Sequence, residues 1–487
     1  MRREFIINII FLLGVNLLIK PFYTFGIDRS FQNLCGTSEY GIFFTFTTLA
    51  LLFQIVSDWG IIYLNSREIA NSPKLFSRYF PAFLQLKLLM VLGYFAVCSA
   101  VGLFLGYYQQ YPLLFNIIVG SQALLSFIVY LRSNIAALGA YRLDSFFSIC
   151  DKLIMILLGV YFLWIQKSIP ITIIMLAWIQ FVAYGITLIL IAFSIYSFKK
   201  SIFLFKKNAL VRSLLKKSLP YALVVLFMTI YSRIDIIMIE KLSVQGVEQV
   251  GIYASAFRIL DISNMFGVLF AGLLLPMFAN LLGKSDRLMP LLELSCSLMI
   301  IGTMTVASLV FCNRYELSHL LNTHATAYWG DVLGVLIFCF IANGIGNYIF
   351  SALLTANNNL KQLAYLYFGG IVLNISLNFS LIPSMNALGA AWAGVITQST
   401  LMIGQIVLAI ILLDLKFSLR WLARVGCYIS IILFSSVWLT MFSPATFSMT
   451  EKGSAIILVS LLSSFILVSP REIIALLRSK DEKTLMH

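Results

Sequence analysis

The sequence predicts an all-α integral membrane protein with about fourteen transmembrane helices. Of its 487 residues, 60% are hydrophobic and only 11% are charged, and the mean hydropathy is +0.95. A soluble domain has roughly a quarter of its residues charged, which covers its surface. The few charged residues here cluster between long apolar runs. A water-soluble fold is therefore excluded.

Fourteen apolar stretches are each long enough to cross a bilayer as a helix. About 20 residues cross a hydrocarbon core of roughly 30 Å, and a helix satisfies its own backbone hydrogen bonds there. We number these spans one to fourteen along the chain. They cover residues 5–27, 41–64, 80–104, 112–131, 146–165, 170–197, 219–240, 250–279, 290–312, 331–353, 363–383, 387–412, 426–443 and 454–469. Span one lacks a nearby small-residue cleavage site, so we interpret it as a retained helix and not a signal peptide.

The basic residues predict that both ends of the chain are cytoplasmic. With the N-terminus inside, 24 of the 34 Lys and Arg residues fall in cytoplasmic segments and five in external ones. Positive residues resist translocation, so this asymmetry indicates the orientation. The net charge of +14 is thereby explained by topology. Binding to nucleic acid would need one dense basic face, so no nucleic-acid partner is predicted.

A basic segment divides the chain into two lobes and an appendage. Residues 199–218 carry seven Lys and Arg residues and no acid, and we expect this cytoplasmic connector to lie along anionic lipid. The N-terminal lobe, 1–198, holds spans one to six, and the C-terminal lobe, 219–412, holds spans seven to twelve. Residues 413–487 hold the last two spans and a cytoplasmic tail.

One motif recurs at the same point of both lobes. GTSEYGIF, residues 36–43, opens span two, and GVEQVGIY, residues 246–253, opens span eight, 210 residues later. Equal placement in two six-helix halves indicates a parallel repeat, which transporters often carry.

Basic side chains inside the spans are the first candidate binding residues. A charged group in the membrane is costly unless it faces water, a partner or the bundle interior. At a rise of about 1.5 Å per residue, Lys20, Arg233 and Arg258 lie about 10–12 Å from the outer ends of their predicted spans. We expect them to form a cationic cavity for a substrate that bears phosphate.

Three acidic residues in the spans are candidates for ion coupling or charge pairing. Asp58 suits a proton or sodium site, or equally a structural partner of a Lys or Arg. Asp235 lies two residues from Arg233, on a different helix face, whereas Asp261 can pair with Arg258 three residues earlier. Coupling to H⁺ or Na⁺ is therefore left open.

Other polar residues are better explained by structure than by chemistry. Charged residues near predicted cytoplasmic span ends should snorkel to the interface; they are Lys87, Asp151, Lys152 and Glu293. The amides of spans ten to twelve could bind sugar hydroxyls, but interhelical hydrogen bonds are the commoner explanation; they are Asn343, Asn347, Asn374, Asn378, Gln398 and Gln405. Pro21 and Pro276 should kink or unwind spans one and eight.

Neither metal nor catalytic chemistry is indicated. Seven cysteines are scattered singly and three histidines lack metal-ligand or catalytic spacing, so we predict no metal site, no catalytic residues and no cofactor. A membrane glycosyl polymerase or ligase would be expected to carry a long external loop with acidic or catalytic residues. The longest external loop here is about 313–330. The protein is therefore not predicted to be an enzyme.

Several segments resemble bacterial polysaccharide biosynthesis proteins that flip lipid-linked oligosaccharides. These segments are 20–23 (KPFY), 36–41 (GTSEYG), 57–60 (SDWG), 67–70 (REIA), 231–238 (YSRIDIIM), 250–259 (VGIYASAFRI), 382–383 (IP) and 387–397 (ALGAAWAGVIT). The resemblance covers most of the chain. It departs after span ten, where residues 356–361 read ANNNLK and relatives commonly have a Gly-Arg type of turn.

The resemblance implies a multidrug, oligosaccharidyl-lipid and polysaccharide (MOP) exporter, with two six-helix bundles in a V around a central cavity. It implies export of an undecaprenyl-pyrophosphate-linked O-antigen or capsular repeat unit across the bacterial inner membrane by alternating access, driven by an ion gradient or membrane potential. Positive residues of such cavities meet pyrophosphate and acidic sugars, which suits Lys20, Arg233 and Arg258. The implied partners are the lipid-linked substrate, membrane lipids and polysaccharide polymerase or export machinery. A peptidoglycan-precursor flippase and a multidrug exporter of the same fold are the alternatives.

Overall fold

The computed structural model describes residues 14, 18–60, 62, 76–166, 168–198, 208–282, 285–442 and 448–468. All regular secondary structure in these residues is helical. Thirteen helical segments within them are long and apolar enough to cross a membrane, and they match predicted spans two to fourteen one for one. Most of span one, residues 5–13 and 15–17, lies outside the described residues. The predicted all-α integral membrane fold of about fourteen helices is confirmed.

The spans are bounded as follows. Spans two to seven are Thr37–Asp58, Phe83–Phe104, Pro112–Ala137, Arg142–Ile165, Ile173–Ile195 and Tyr221–Leu242. Spans eight to fourteen are Gly246–Leu281, Leu288–Cys312, Ala327–Ala356, Leu360–Met385, Ala387–Leu413, Leu419–Met441 and Met449–Leu467. Five of them belong to longer helices, Phe76–Phe104, Ile173–Phe198, Asn208–Leu242, Ser285–Cys312 and Leu419–Phe442. The helical residues 18–28 continue directly into Arg29–Cys35, and the short helices Tyr107–Gln110 and Arg314–Leu321 lie between spans.

Several spans depart locally from α-helical geometry. Span two consists of Thr37–Leu52 and Gln54–Asp58 and ends at Trp59, whose φ is 41°. Spans five and ten contain the π-helical segments Tyr161–Ile165 and Gly346–Phe350, and span ten also contains the α-helices Ala327–Leu336, Phe338–Ile345 and Ser351–Ala356. Such segments often occur at functional sites.

The two prolines predicted to disturb spans behave differently. A π-helical segment, Tyr23–Asp28, begins two residues after Pro21. The helix Gly246–Leu281 continues through Pro276, so the chain does not unwind there.

The described residues pack into two compact units. The first contains those of Met1–Ser255 and Asn374–Ala387, and the second contains those of Ala256–Leu373 and Leu388–His487. The lobes at 1–198 and 219–412 stay a prediction. Within the predicted connector, residues 199–207 lie outside the described part of the chain, and the helix Asn208–Leu242 begins in the remainder.

Each unit has its own packed interior. In the first unit, the Phe46 ring lies 5.0 Å from the Tyr107 ring and 5.4 Å from the Phe115 ring, centre to centre. In the second unit, the Tyr428 hydroxyl of span thirteen lies 3.0 Å from Ser460 Oγ of span fourteen. Side-chain packing and such polar contacts hold helices together where lipid supplies no hydrophobic drive between them.

Candidate functional site

A cavity of about 500 Å³ lies among spans two, four and seven of the first unit. Its size falls within the range of roughly 300–1,000 Å³ that is typical of small-ligand sites. The polar part of its lining consists of Gln54, Asp58, Thr229, Ser232 and Arg233. The apolar part includes Leu51, Leu52, Ile55, Leu125, Val129, Val225 and Met228. The structure thus places two of the predicted site residues, Asp58 and Arg233, on one cavity.

Asp58 is held by a buried lysine. Lys87 of span three is 1% exposed, and its Nζ contacts both Asp58 Oδ1 and Ser126 Oγ. The same ammonium donates to the Ser57 carbonyl over 2.9 Å, and Ser126 Oγ donates to Asp58 Oδ1 over 2.8 Å. The expectation that Lys87 snorkels is wrong, because its charge is paired inside the helix bundle.

Asp235 lies in a second polar cluster of the first unit. Its carboxylate is 3% exposed and accepts hydrogen bonds from Asn378 Nδ2 over 2.7 Å and from the Tyr253 hydroxyl over 3.2 Å. Asn378 Nδ2 also donates to Asn374 Oδ1 over 3.0 Å. Within the described part of the chain, no basic side chain pairs with Asp235. Asn378 Oδ1 and Asn374 Nδ2 are buried without a hydrogen-bond partner there.

Lys20 lies within electrostatic range of Lys152, Asp151 and Arg132. Lys152 Nζ is 3.6 Å from Asp151 Oδ2 and 4.8 Å from the centre of the Tyr23 ring. Since span five begins at Arg142, Lys152 lies about 15 Å into it. The expected snorkelling of Asp151 and Lys152 at a cytoplasmic end is therefore wrong.

The other two predicted site residues lie on span eight in the second unit. Arg258 is 5% exposed, whereas the side chain of Asp261 is exposed. At a rise of about 1.5 Å per residue, Lys20 lies about 22 Å from the outer helix end at Cys35. Arg233 lies about 14 Å from the end at Leu242, and Arg258 about 18 Å from the end at Gly246. All three lie farther from their outer helix ends than predicted, because the helices extend beyond the apolar stretches.

The amides of spans ten and twelve form an internal network in the second unit. Asn347 Oδ1 accepts hydrogen bonds from Gln405 Nε2 over 3.0 Å and from the Tyr367 hydroxyl over 3.1 Å. Asn347 Nδ2 donates to Asn343 Oδ1 over 2.8 Å. These contacts support interhelical hydrogen bonding, the commoner of the two explanations considered for these amides.

Sequence reasoning missed Gln54, Thr229, Ser232 and the Lys87 contact. A signal was present for some of them, since Gln54 lies four residues before Asp58, and Thr229 lies four residues before Arg233, which places each pair on one helix face. No spacing rule links Lys87 to Asp58, because they lie on different spans. The contact between them requires the tertiary structure.

The thirteen candidate membrane spans of the described residues define a multi-pass membrane protein, and a cavity with charged lining residues lies between three of them. A family model described as polysaccharide biosynthesis protein matches residues 6–282, and the MatE family model matches residues 220–380. The first match covers more than half of the chain. The chain therefore belongs to the polysaccharide biosynthesis protein family, as the sequence motifs predicted.

Solved structures share the fold. The lipid II flippase MurJ in an inward closed conformation has a TM-score of 0.70 and 13% identity, covering 94% of this chain and 99% of that chain. An inward-facing multidrug resistance transporter of the MATE family has a TM-score of 0.61 and 13% identity, covering 83% and 98%. A MOP superfamily transporter from Pyrococcus furiosus has a TM-score of 0.61 and 12% identity, covering 84% and 94%. At these identities the likeness shows the fold alone. No curated protein sequence matches the chain.

Proposed function

We propose that the protein flips an undecaprenyl-pyrophosphate-linked oligosaccharide, an O-antigen or capsular repeat unit, from the cytoplasmic to the periplasmic leaflet. The observation that carries this proposal is the Arg233 guanidinium on a cavity between membrane spans. A charge at such a place is costly and is usually functional. A diphosphate headgroup crossing the bilayer is an anion that a fixed cation would stabilise.

Lys20 and Arg258 are the other two cations of the proposal. A guanidinium can bind phosphate oxygens through two parallel hydrogen bonds, and an ammonium acts as a compact point charge. Among the described residues, no hydrogen bond or ion pair engages the Lys20 ammonium. In alternating access, these cations bind the headgroup and its acidic sugars while the polyprenyl tail stays in the lipid.

Asp235 is our first candidate for coupling export to H⁺ or Na⁺. A buried carboxylate needs a counter-charge or a proton, and the described residues offer only amides and a hydroxyl. Asp58 is less suitable, because its protonation would leave the buried Lys87 ammonium without its anion. Asp261 remains a further candidate.

The proposal places the protein in the bacterial inner membrane with both termini in the cytoplasm, beside a polysaccharide polymerase or other export machinery. The alternatives on the same fold are a peptidoglycan-precursor flippase and a multidrug exporter. They differ in which cellular defect the gene can rescue. Restored surface polysaccharide in a strain that lacks its own oligosaccharide flippase supports our proposal, and rescue of lipid II flippase depletion alone contradicts it.

Charge reversal tests the site. Arg233→Glu, expressed in place of the wild-type protein in the strain that lacks its own oligosaccharide flippase, should fail to restore surface polysaccharide because the cavity then repels the diphosphate. Arg420→Glu is the matched control, since Arg420 is exposed at the start of span thirteen and does not line the cavity. Normal glycan export by Arg233→Glu at a normal protein level would remove Arg233 from the mechanism.

A further inference from the structure

We infer that Asp58 and Gln54 bind hydroxyl groups of the sugar that adjoins the diphosphate, so that the cavity selects a glycolipid over a bare lipid diphosphate. The inference rests on the proposed function. It adds a sugar-binding wall to the cation-binding role of Arg233.

Asp58 presents an acceptor to the cavity. Its Oδ1 is occupied by Lys87 and Ser126, whereas Oδ2 forms no hydrogen bond with any of the described residues. The side chain is 22% exposed, and it lines the cavity. An ionised carboxylate only accepts hydrogen bonds. Its natural ligand in this cavity is therefore a donor, and the hydroxyl groups of a sugar are such donors.

Lys87 keeps Asp58 in this role. Three oxygens surround the Lys87 ammonium, from Asp58, Ser126 and the Ser57 backbone. Loss of the Asp58 charge would leave this ammonium buried without its anion, which is strongly unfavourable. The lysine also cancels the negative charge of Asp58. The pair can thus accept sugar hydroxyls without repelling an anionic headgroup bound at Arg233.

The neighbouring polar groups suit the same ligand. Gln54 lies one helical turn from Asp58, and in the described part of the chain its amide forms no hydrogen bond, so it offers both a donor and an acceptor. Thr229 Oγ1 donates to the Val225 carbonyl over 2.8 Å, and Ser232 Oγ donates to the Thr229 carbonyl over 3.2 Å. Both hydroxyl oxygens therefore keep lone pairs for an incoming donor.

The apolar wall completes an amphipathic site. Leu51, Ile55 and Leu125 of spans two and four, with Met228 of span seven, face the same cavity. A sugar ring has apolar C–H surface as well as hydroxyl groups, so it suits a cavity with one polar and one apolar wall. The volume of about 500 Å³ is that of a small-molecule site. It suits the headgroup-proximal sugar and not a whole repeat unit.

Binding measurements on the purified full-length protein test the inference. The probes are a short-chain prenyl diphosphate without sugar and the same lipid carrying one glucose, galactose or N-acetylglucosamine. We expect wild type to bind at least one sugar-bearing probe more tightly than the bare diphosphate. Asp58→Asn combined with Lys87→Met removes both charges and leaves no unpaired ammonium. The double variant should bind that sugar-bearing probe about tenfold more weakly, which is the scale of a hydrogen bond to a charged group. Its affinity for the bare diphosphate should be unchanged.

The controls separate failure of this inference from failure of the proposed function. Asp144→Asn removes a carboxylate that pairs with Arg132 over 2.9 Å and does not line the cavity, so both affinities should be unchanged. Arg233→Gln should lower the affinity for both kinds of probe. Equal wild-type affinity for all probes, or an equal loss for all probes in the double variant, overturns the sugar-binding wall. No wild-type binding, or no effect of Arg233→Gln on either probe, overturns the proposed function itself.

Discussion

Gly41 and Gly251, 210 residues apart, each bring their helix backbone against the helix of the other. A Cβ added to Gly41 would overlap the carbonyl oxygen of Val247, and one added to Gly251 would overlap the carbonyl oxygen of Thr37. Thr37 and Val247 are themselves 210 residues apart. The two copies of the motif thus meet at equivalent positions, as expected of a duplication.

Because the two helix backbones are in close contact, a methyl group added at either glycine should destabilise the protein. Gly41→Ala or Gly251→Ala should force the starts of spans two and eight apart and destabilise the protein by about 1–3 kcal/mol, the usual cost of overpacking. Gly185→Ala is the control, because a Cβ there would meet nothing within 4 Å. The check is the thermal unfolding midpoint in detergent. Equal midpoints for Gly41→Ala and Gly185→Ala would contradict the contact.

The Lys87–Asp58 pair predicts a non-additive double-mutant cycle. Asp58→Ala leaves the buried ammonium without its carboxylate and should cost about 3–5 kcal/mol of stability. Adding Lys87→Met should recover much of that loss, since no unpaired charge then remains. Stability of the two single variants and the double variant can be compared by denaturation in detergent. Simple addition of the two single losses would show that the charges do not interact.

The uncompensated Asp235 carboxylate predicts an effect on coupling. Asp235→Asn keeps the side-chain shape but cannot bind a proton or a sodium ion as a carboxylate does. Wild-type export should slow when either a protonophore or a sodium ionophore collapses its driving gradient. Asp235→Asn should export slowly and respond to neither compound. Asp414→Asn, at an 89% exposed side chain, should behave as wild type, and unchanged ionophore sensitivity of Asp235→Asn would exclude it as the coupling site.

The ion pair between Glu316 and Lys452 joins the helix Arg314–Leu321 to span fourteen, and its contribution to stability should depend on pH. Partial burial acts to raise the pKa of Glu316. A 2.8 Å hydrogen bond from Lys452, a backbone hydrogen bond and the positive charge of Lys452 outweigh this effect. The pKa of Glu316 therefore lies below its ordinary value of 4.5. A lowered pKa in the folded state contributes stability that is complete above the ordinary value and is lost as the pH falls through the folded-state value. The carboxylate is 40% exposed, so the contribution is small.

The measurement for Glu316 is the unfolding midpoint of wild type and Glu316→Gln over a pH series. Wild type should be the more stable at neutral pH, and the difference should vanish as the pH falls below 4.5. A difference that stays constant with pH would show that the Glu316 charge contributes nothing.

Hydropathy was enough to predict spans two to fourteen, because apolar length alone decides whether a helix can cross a bilayer. It was not enough to place Lys87 and Lys152. Both were judged by their distance from a predicted span end, but the helix of Lys87 begins at Phe76 and that of Lys152 at Tyr141. Each lysine therefore lies deeper than the apolar stretch implied.

The candidate site was only partly predictable for a related reason. Asp58 and Arg233 stand out as charges within apolar stretches, and that signal is local. Their shared cavity joins residues 175 positions apart, and the partners of Asp235 come from spans eight and eleven. Such contacts depend on helix packing, on which the spacing of residues along one span gives no information.

Reconstituted vesicles allow the proposed movement of glycan across a bilayer to be measured. Vesicles that contain the full-length protein and a labelled undecaprenyl-diphosphate-linked glycan are exposed to an external enzyme that modifies only outward-facing glycan. Wild type should make the whole glycan pool accessible, and Arg233→Gln should slow this strongly while Arg420→Gln should not. Failure of the wild-type protein to move glycan, or movement by Arg233→Gln at the wild-type rate, would show that the Arg233 cavity does not carry the glycolipid across.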